Sequence, residues 1–408
     1  MRKVLFAVLI PASFLCACNN GNSTPDQSLQ ITEKDLIHLE GSFENNFLES
    51  WEYVLLEGDN PDALMPDIEG VLYDDGLLFV RSTMYGSYND RQTLIKVFDR
   101  SGKYLNDIGR QGRAKNEYLS FCDWAINTRS NEVIVFDNFA RCLKRYDYKG
   151  NFIGQTELAR NTPKDGFYGM EMEKCLSDGS ILYHGGLAIL PSHEYFHLNP
   201  DGTYQSPYRM TEYLLHCDMD PSEFIELRGE VAVTDITSCW SDITSDTTYL
   251  LRALDNHIYK IYGDSMECVA NMAFMPDMPY KMKCDYDYEN DDQYMGYSIP
   301  NFFYDMKDYV YIWYIHDNEY LFDKRTSKMY HMNHDTLHIS LPEMIVSISG
   351  NTLIGWSLDY SVNEAVNLMD SPDYDHRFTP QLEAFYRKAA RSDNPAIIIA
   401  RFKENAPD

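Results

Sequence analysis

Residues Ile95–Gly109 read IKVFDRSGKYLNDIG, two short strands joined by an Asp-x-x-Gly turn. The unit returns at Lys144–Ile153 (KRYDYKGNFI), with Asp147 and Gly150 in the places of Asp99 and Gly102. It returns again at Leu198–Tyr204 (LNPDGTY), with Asn199 and Gly202. Leu321–Met329 (LFDKRTSKM) keeps Asp323 but carries Thr326 where the glycine stood. The Asp/Asn positions are 48, 52 and 124 residues apart, the last gap being wide enough for two units. A repeat of this length built from strands alone is the pattern of propeller blades.

A second repeat agrees with the first. Six times a polar turn feeds a strongly apolar run, the signal of a hairpin. These runs are Leu77–Val80, Val133–Phe136, Ile181–Tyr183, Tyr249–Leu251, Tyr309–Trp313 and Leu353–Trp356. Each blade would hold an inner strand, the hairpin strand, a third strand and an outer strand after the Asp-x-x-Gly turn. The fourth has no such turn, but Leu254-Asp255-Asn256 leads into a third strand at His257–Tyr262. In the sixth, Thr379–Ala390 (TPQLEAFYRKAA) reads as a short capped helix, and Ala396–Phe402 (AIIIARF) fits the missing strand. Trp51–Leu56 (WEYVLL) is an orphan strand at the other end. Joining it to Ala396–Phe402 would close the ring and remove exposed sheet edges.

The expectation is an all-β fold: a six-bladed β-propeller with four-stranded blades, closed by N- and C-terminal strands, with one short helix near the C-terminus. IKVFDRSGKYLNDIGRQGRAKNEY, the later DNHIYKIYG and the terminal NPAIIIARFK resemble the six-bladed, NHL-like β-propeller lipoproteins of anaerobic Gram-negative bacteria. The resemblance covers nearly all of the chain after its leader. Its most specific part is Gly109–Tyr118 (GRQGRAKNEY), where Ala114-Lys115-Asn116 replace the Gly-Pro-Gly of the family. It implies a fold and an envelope location, and no established activity.

Residues 1–17 read as an export signal. Arg2 and Lys3 precede the apolar Val4–Leu15, and Leu15-Cys16-Ala17-Cys18 resembles a lipobox, which implies cleavage before Cys18 and lipid on its thiol. Residues 18–42 are expected to be a flexible tether and 43–408 the propeller. No later stretch approaches the ~20 apolar residues of a membrane span, so the membrane is reached through the lipid alone. The expected address is the cell envelope, at the outer membrane, on its periplasmic or exterior side. Seven cysteines follow Cys18 without a CxxC, which supports neither a zinc ribbon nor a complete disulfide framework.

The formal net charge of −28 repels nucleic acid. His193-Glu194-Tyr195-Phe196-His197 matches HExxH, but zinc chemistry needs that motif on a helix. Here it precedes the Asn199–Gly202 turn, where a strand would set the two histidines ~13 Å apart. His331, His334 and His338 have helical spacing but lie in a polar connection before Pro342. Cys284–Tyr297 (CDYDYENDDQYMGY) interleaves tyrosines with carboxylates, and Asp287, Asp291 and Asp292 could supply oxygens to Ca²⁺.

Propeller ligands meet the loops at one mouth of the channel. That places Arg81, Arg113, Tyr118, Trp124, Asp137, Arg141, Trp240 and Asp242 as ligand-binding candidates. The functional expectation is a non-catalytic, lipid-anchored module holding a glycan, peptide or partner protein. The alternative is a calcium-dependent propeller hydrolase or lyase.

Overall fold

The computed structural model of the chain describes residues 28–39, 46–65, 68–85, 91–159, 170–185, 195–205, 238–251, 256–276, 300–314, 318–332, 344–357, 359–374, 378 and 380–405. Within them the strands form six sheets, and each of the six apolar runs falls in a different one. The first sheet is an antiparallel meander of Ile68–Asp74, Leu77–Tyr85, Arg91–Asp99 and Tyr104–Asp107. The second repeats it with Phe121–Asn127, Glu132–Asp137, Cys142–Asp147 and Phe152–Glu157. The third does so with Met170–Cys175, Ile181–Gly185, Tyr195–Leu198 and Tyr204–Gln205. The architecture is β-propeller-like.

The repeated glycine has two reasons to be glycine. Gly102, Gly150 and Gly202 all have φ between +82° and +85°, a region that side chains disfavour. Each also meets the end of the preceding sheet's outer strand. A Cβ on Gly102 would lie 2.1 Å from the Leu55 carbonyl oxygen, one on Gly150 2.2 Å from that of Asp107, and one on Gly202 2.1 Å from that of Glu157. The carboxylate of Asp99 shapes the turn by accepting the Ser101 amide at 2.8 Å, and Asp147 accepts the Lys149 amide at 3.0 Å. In the fourth copy the left-handed residue is Ser327, one place beyond Thr326, with φ 56°. The turn there has a different shape, and the loss of glycine follows from it.

Apolar residues fill the spaces between consecutive sheets. Phe79 and Val97 meet Val133 and Tyr146 between the first and second, and Phe136 and Leu143 meet Ile181 and Tyr183 between the second and third. One core joins Leu182 of the third sheet to Leu250 and Tyr259 of the fourth and Phe303 and Val310 of the fifth. Tyr309 and Leu321 of the fifth meet Ile348 and Leu353 of the sixth. Ile354 and Ile399 of the sixth meet Ile68, Leu78 and Phe98 of the first.

Residues 18–42 are not a tether throughout. Strand β1 (Leu29–Ile31) pairs in parallel with Ser265–Met272 at the edge of the fourth sheet, whose other strands are Thr247–Leu251 and His257–Tyr262. Strand β2 (Leu36–Leu39) pairs in parallel with Lys328–Met332 in the fifth. Strand β3 (Leu48–Leu55) pairs antiparallel with Ala396–Phe402 in the sixth, next to Thr352–Trp356 and Met344–Ser349. The N-terminal segment therefore runs along the outer edges of three sheets in succession. The backbone donors and acceptors of those edges find partners that a tether would leave unpaired.

The expectation of four strands per blade also fails at the fifth sheet, which has six. Its core is Pro300–Asp305, Tyr309–Tyr314, Asn318–Asp323 and Lys328–Met332, with β2 added outside. On the inside Ser238–Ser241 pairs in parallel with Pro300–Asp305, although it precedes the strands of the fourth sheet in sequence.

There are two α-helices among the described residues where one was expected. α2 (Pro380–Ala389) is the foreseen one, and buries Leu382 and Phe385 over Tyr53 of β3. α1 (Asp359–Met369) replaces part of the polar connection. Its buried Val362, Ala365 and Met369 lie at the i, i+3, i+7 spacing of one helix face.

The joint between the two ends of the chain rests on Asn394, which is 2 % exposed. Its amide donates to the carbonyls of Glu57 at 2.6 Å and Ala63 at 3.0 Å, and its oxygen accepts the Met65 amide at 2.8 Å. Asn394→Ala leaves three backbone groups without these partners and should lower stability by about 3 kcal/mol. Urea unfolding checks this: a midpoint equal to the parent's would show that β3 and Ala396–Phe402 are held without the bridge.

Candidate functional site

Six of the eight ligand-binding candidates fall around the first two sheets, where their inner strands begin. Asp137 is the centre of this region and is fully buried. Its carboxylate accepts the amides of Leu119 at 2.7 Å, Ser120 at 3.2 Å and Ala140 at 3.1 Å. A carboxylate occupied this way ties connection 110–120 to turn 138–141, and is a positioning group instead of the ligand contact expected.

Tyr118 and Trp124, the latter open in the sequence to inter-blade packing as well as ligand contact, are also buried. Tyr118 is fully buried, with its hydroxyl donating to the Thr93 carbonyl at 2.7 Å. Burial pushes its phenol far above the ordinary range. Trp124 is 6 % exposed and packs among Phe79, Val135 and Tyr146. Both are aromatic residues of the seam between sheets.

The loop over them is shaped by Glu117. Its carboxylate accepts the Ala114 amide at 2.8 Å and Arg110 Nε at 2.6 Å, which hold it below the ordinary carboxylate range. A Cβ on Gly112 would strike it at 2.0 Å, so this glycine is fixed by close approach. Lys144 supports the loop from below by donating to the Lys115 carbonyl at 3.1 Å, and Tyr146 donates to that of Asn116 at 3.1 Å. The Ala-Lys-Asn segment is thus a turn stabilised by side chains.

On the solvent side the two tied loops carry Phe139, 78 % exposed, beside Leu119, 41 % exposed. Arg110, Arg113 and Lys115 are exposed as well. Arg141 is half-buried, with φ 50°. Arg81 stands at the same end of the first sheet, 3.5 Å from Glu69, 3.9 Å from Asp123 and 5.9 Å from the Phe121 ring centroid. Exposed apolar side chains and cations carried on the same two tied loops, on a chain of net charge −28, can take up an anionic group and the flat face of its carrier together.

Trp240 and Asp242 do not join this surface. Trp240 lies 5.3 Å from the Tyr304 ring, in the core between the fifth and sixth sheets. Asp242 is 2 % exposed and sits where inner strands end. Its Oδ1 accepts the Gly350 amide at 2.8 Å and the Thr244 amide at 2.9 Å, while its backbone amide donates to the Asp305 carbonyl at 2.8 Å. Lys174, 1 % exposed, donates to the carbonyls of Asp242 at 3.2 Å and Thr247 at 2.8 Å. Lys324 reaches the Asp305 carboxylate and lies 4.2 Å from the Tyr249 ring centroid. Burial pulls the Lys174 ammonium down and pushes the Asp305 carboxyl up from their ordinary values. Sequence reading missed Lys174, Asp305 and Lys324, because nothing local marks them as interior.

Cys18 and the calcium candidates Asp287, Asp291 and Asp292 lie outside the described residues. Of the HExxH stretch, His197 lies in strand Tyr195–Leu198 and is 4 % exposed, while His193 and Glu194 are outside the described residues. His331 lies in strand Lys328–Met332 and not on a helix. Among the described residues no three or more His, Cys, Asp or Glu side chains gather as metal ligands. Cys122, Cys142, Cys175 and Cys268 are free thiols, all but Cys122 buried.

Removing the Asp137 carboxylate should release both loops of the exposed surface. Asp137→Ala is expected to speed amide exchange at Leu119, Ser120 and Ala140 and to lower stability by about 3 kcal/mol. Unchanged protection at those three amides would show that the loops are held by something else.

Two solved structures resemble the chain in fold. A protein of Bacteroides fragilis assigned as exported is 15 % identical, with a TM-score of 0.58 over 92 % of this chain and 99 % of its own. A member of the DUF4221 family from Bacteroides vulgatus is 10 % identical, with a TM-score of 0.50 over 89 % of this chain and 100 % of its own. No curated protein matches the sequence. No helix among the described residues is long and apolar enough to cross a membrane. The family model described as "Domain of unknown function (DUF4934)" matches residues 36–401, and the chain belongs to that family.

Proposed function

We propose that the chain is a lipid-anchored envelope protein, a closed six-bladed NHL-like propeller that binds an anionic glycan on the surface around Phe139. The observation that carries the reading is the pairing of two loops by Asp137, which presents Phe139 and Leu119 among Arg110, Arg113 and Lys115. A sugar ring suits the phenyl face, and carboxylate or sulfate groups suit the cations. An acidic peptide is the competing occupant, and the same assay separates them. Ring closure is supported by the core shared between the sixth and first sheets and by the pairing of β3 with Ala396–Phe402. The lipid rests on Leu15-Cys16-Ala17-Cys18, and the envelope address on that motif and on the likeness in fold to an exported protein of B. fragilis.

Phe139→Ala and Arg113→Glu should each weaken binding to acidic glycans at least about ten-fold, with the parent's affinity falling as salt is raised. A glycan array beside an acidic-peptide library reads this. Binding of neutral sugars alone, or of acidic peptides alone, would replace the reading.

Cys18→Ala should leave the exported protein without acyl chains and free of the membrane fraction. Mass spectrometry of the N-terminal peptide and fractionation check it. A variant that still sediments with lipid attached would remove the anchor from the proposal.

A further inference from the structure

Strand β2 brings together two histidines far apart in sequence. His38 and His331 are direct partners in the parallel pairing of Leu36–Leu39 with Lys328–Met332. In-register residues of neighbouring strands project from the same face. Their Nδ1 atoms lie 3.1 Å apart, with the rings 5.1 Å centroid to centroid and steeply inclined at 82°. His331 is held from behind by Tyr320, stacked at 4.9 Å and 21°. His38 is exposed and the pair faces solvent. Without a metal, one ring donates through Nδ1–H and the other accepts.

The same geometry matches a shared metal. Zinc binds imidazole nitrogen at about 2.0–2.1 Å, so two nitrogens on one tetrahedral ion stand about 3.3 Å apart. Only a few tenths of an ångström separate that distance from the one observed. To bind, the donor ring moves its proton from Nδ1 to Nε2, and a small rotation of the rings turns both Nδ1 lone pairs toward one ion, with no change in charge on the protein. Imidazole suits Zn²⁺, Ni²⁺ and Cu²⁺. We propose that His38 and His331 form a two-histidine site for a divalent metal of this class, with water filling the remaining positions. The bound ion staples β2 to the fifth sheet. The site is separate from the Phe139 surface, and neither reading depends on the other.

The test uses the untagged protein and Zn²⁺ alone, followed by calorimetric titration and by tryptic cleavage after Lys34, which is exposed just before β2. One equivalent should bind, about ten-fold or more weaker in His38→Asn and in His331→Asn. Zinc should slow cleavage after Lys34 about ten-fold in the parent, and EDTA should reverse this. Melting of each variant without metal reports whether it has folded, and the EDTA reversal needs no variant. No binding by the parent, or parent-like affinity in either folded variant, overturns the site. Binding without a change in Lys34 cleavage overturns the staple.

Discussion

Three carbonyl oxygens, those of Leu55, Asp107 and Glu157, occupy the space where a side chain would begin on Gly102, Gly150 and Gly202. This contact sets how closely the sixth, first, second and third sheets approach one another. It works only because the Asp-x-x-Gly turn puts a residue without a Cβ at the outer corner of each sheet. Backbone hydrogen bonds seal two of the seams, from Glu57 to Gly102 and from Ala159 to Gly202, both at 2.8 Å. The repeat visible in the sequence is therefore a repeat of seams as much as of strands.

The remaining seams add a buried charged cluster to their apolar cores. Lys174 belongs to the third sheet, Thr247 and Tyr249 to the fourth, Asp305 and Lys324 to the fifth, and Gly350 to the sixth, and Asp242 or its partners touch them all. Desolvating these ions is costly, and the compensating bonds exist only when all four sheets are in place. Such a cluster contributes less to net stability than to the choice of one arrangement. It also accounts for the displaced strand Ser238–Ser241, which delivers Asp242 to the junction.

What could be read from the sequence was what is local. Strand alternation, turn residues and an apolar C-terminal run identify six sheets, because each depends on neighbours a few residues away; the union of β3 with Ala396–Phe402 was inferred instead from two strongly patterned runs left without partners. The helical stripe of Val362, Ala365 and Met369 was equally local and was hidden only by its polar flanks. The edge strands could not be read: β1 has three residues and β2 four, and their partners lie 241 and 293 positions away. The burial of Asp137, Tyr118 and Trp124 could not be read for a related reason: their side chains have polar and aromatic chemistry that suits a surface, but burial is decided by the whole fold.

The N-terminal segment has a consequence for the order of assembly. Residues 29–55 are made early, yet their partners at 270–272, 329–332 and 396–402 follow only after more than 200 further residues. Folding from the N-terminus onward, the usual habit of a growing chain, is unavailable to this part of the molecule. The first three sheets can form as they emerge, whereas β1, β2 and β3 must wait in turn for residues 272, 332 and 402. Contacts so distant in sequence form slowly. Until they do, the fourth, fifth and sixth sheets each present a bare flank to any other nascent copy nearby. The vulnerable interval of folding is its last one.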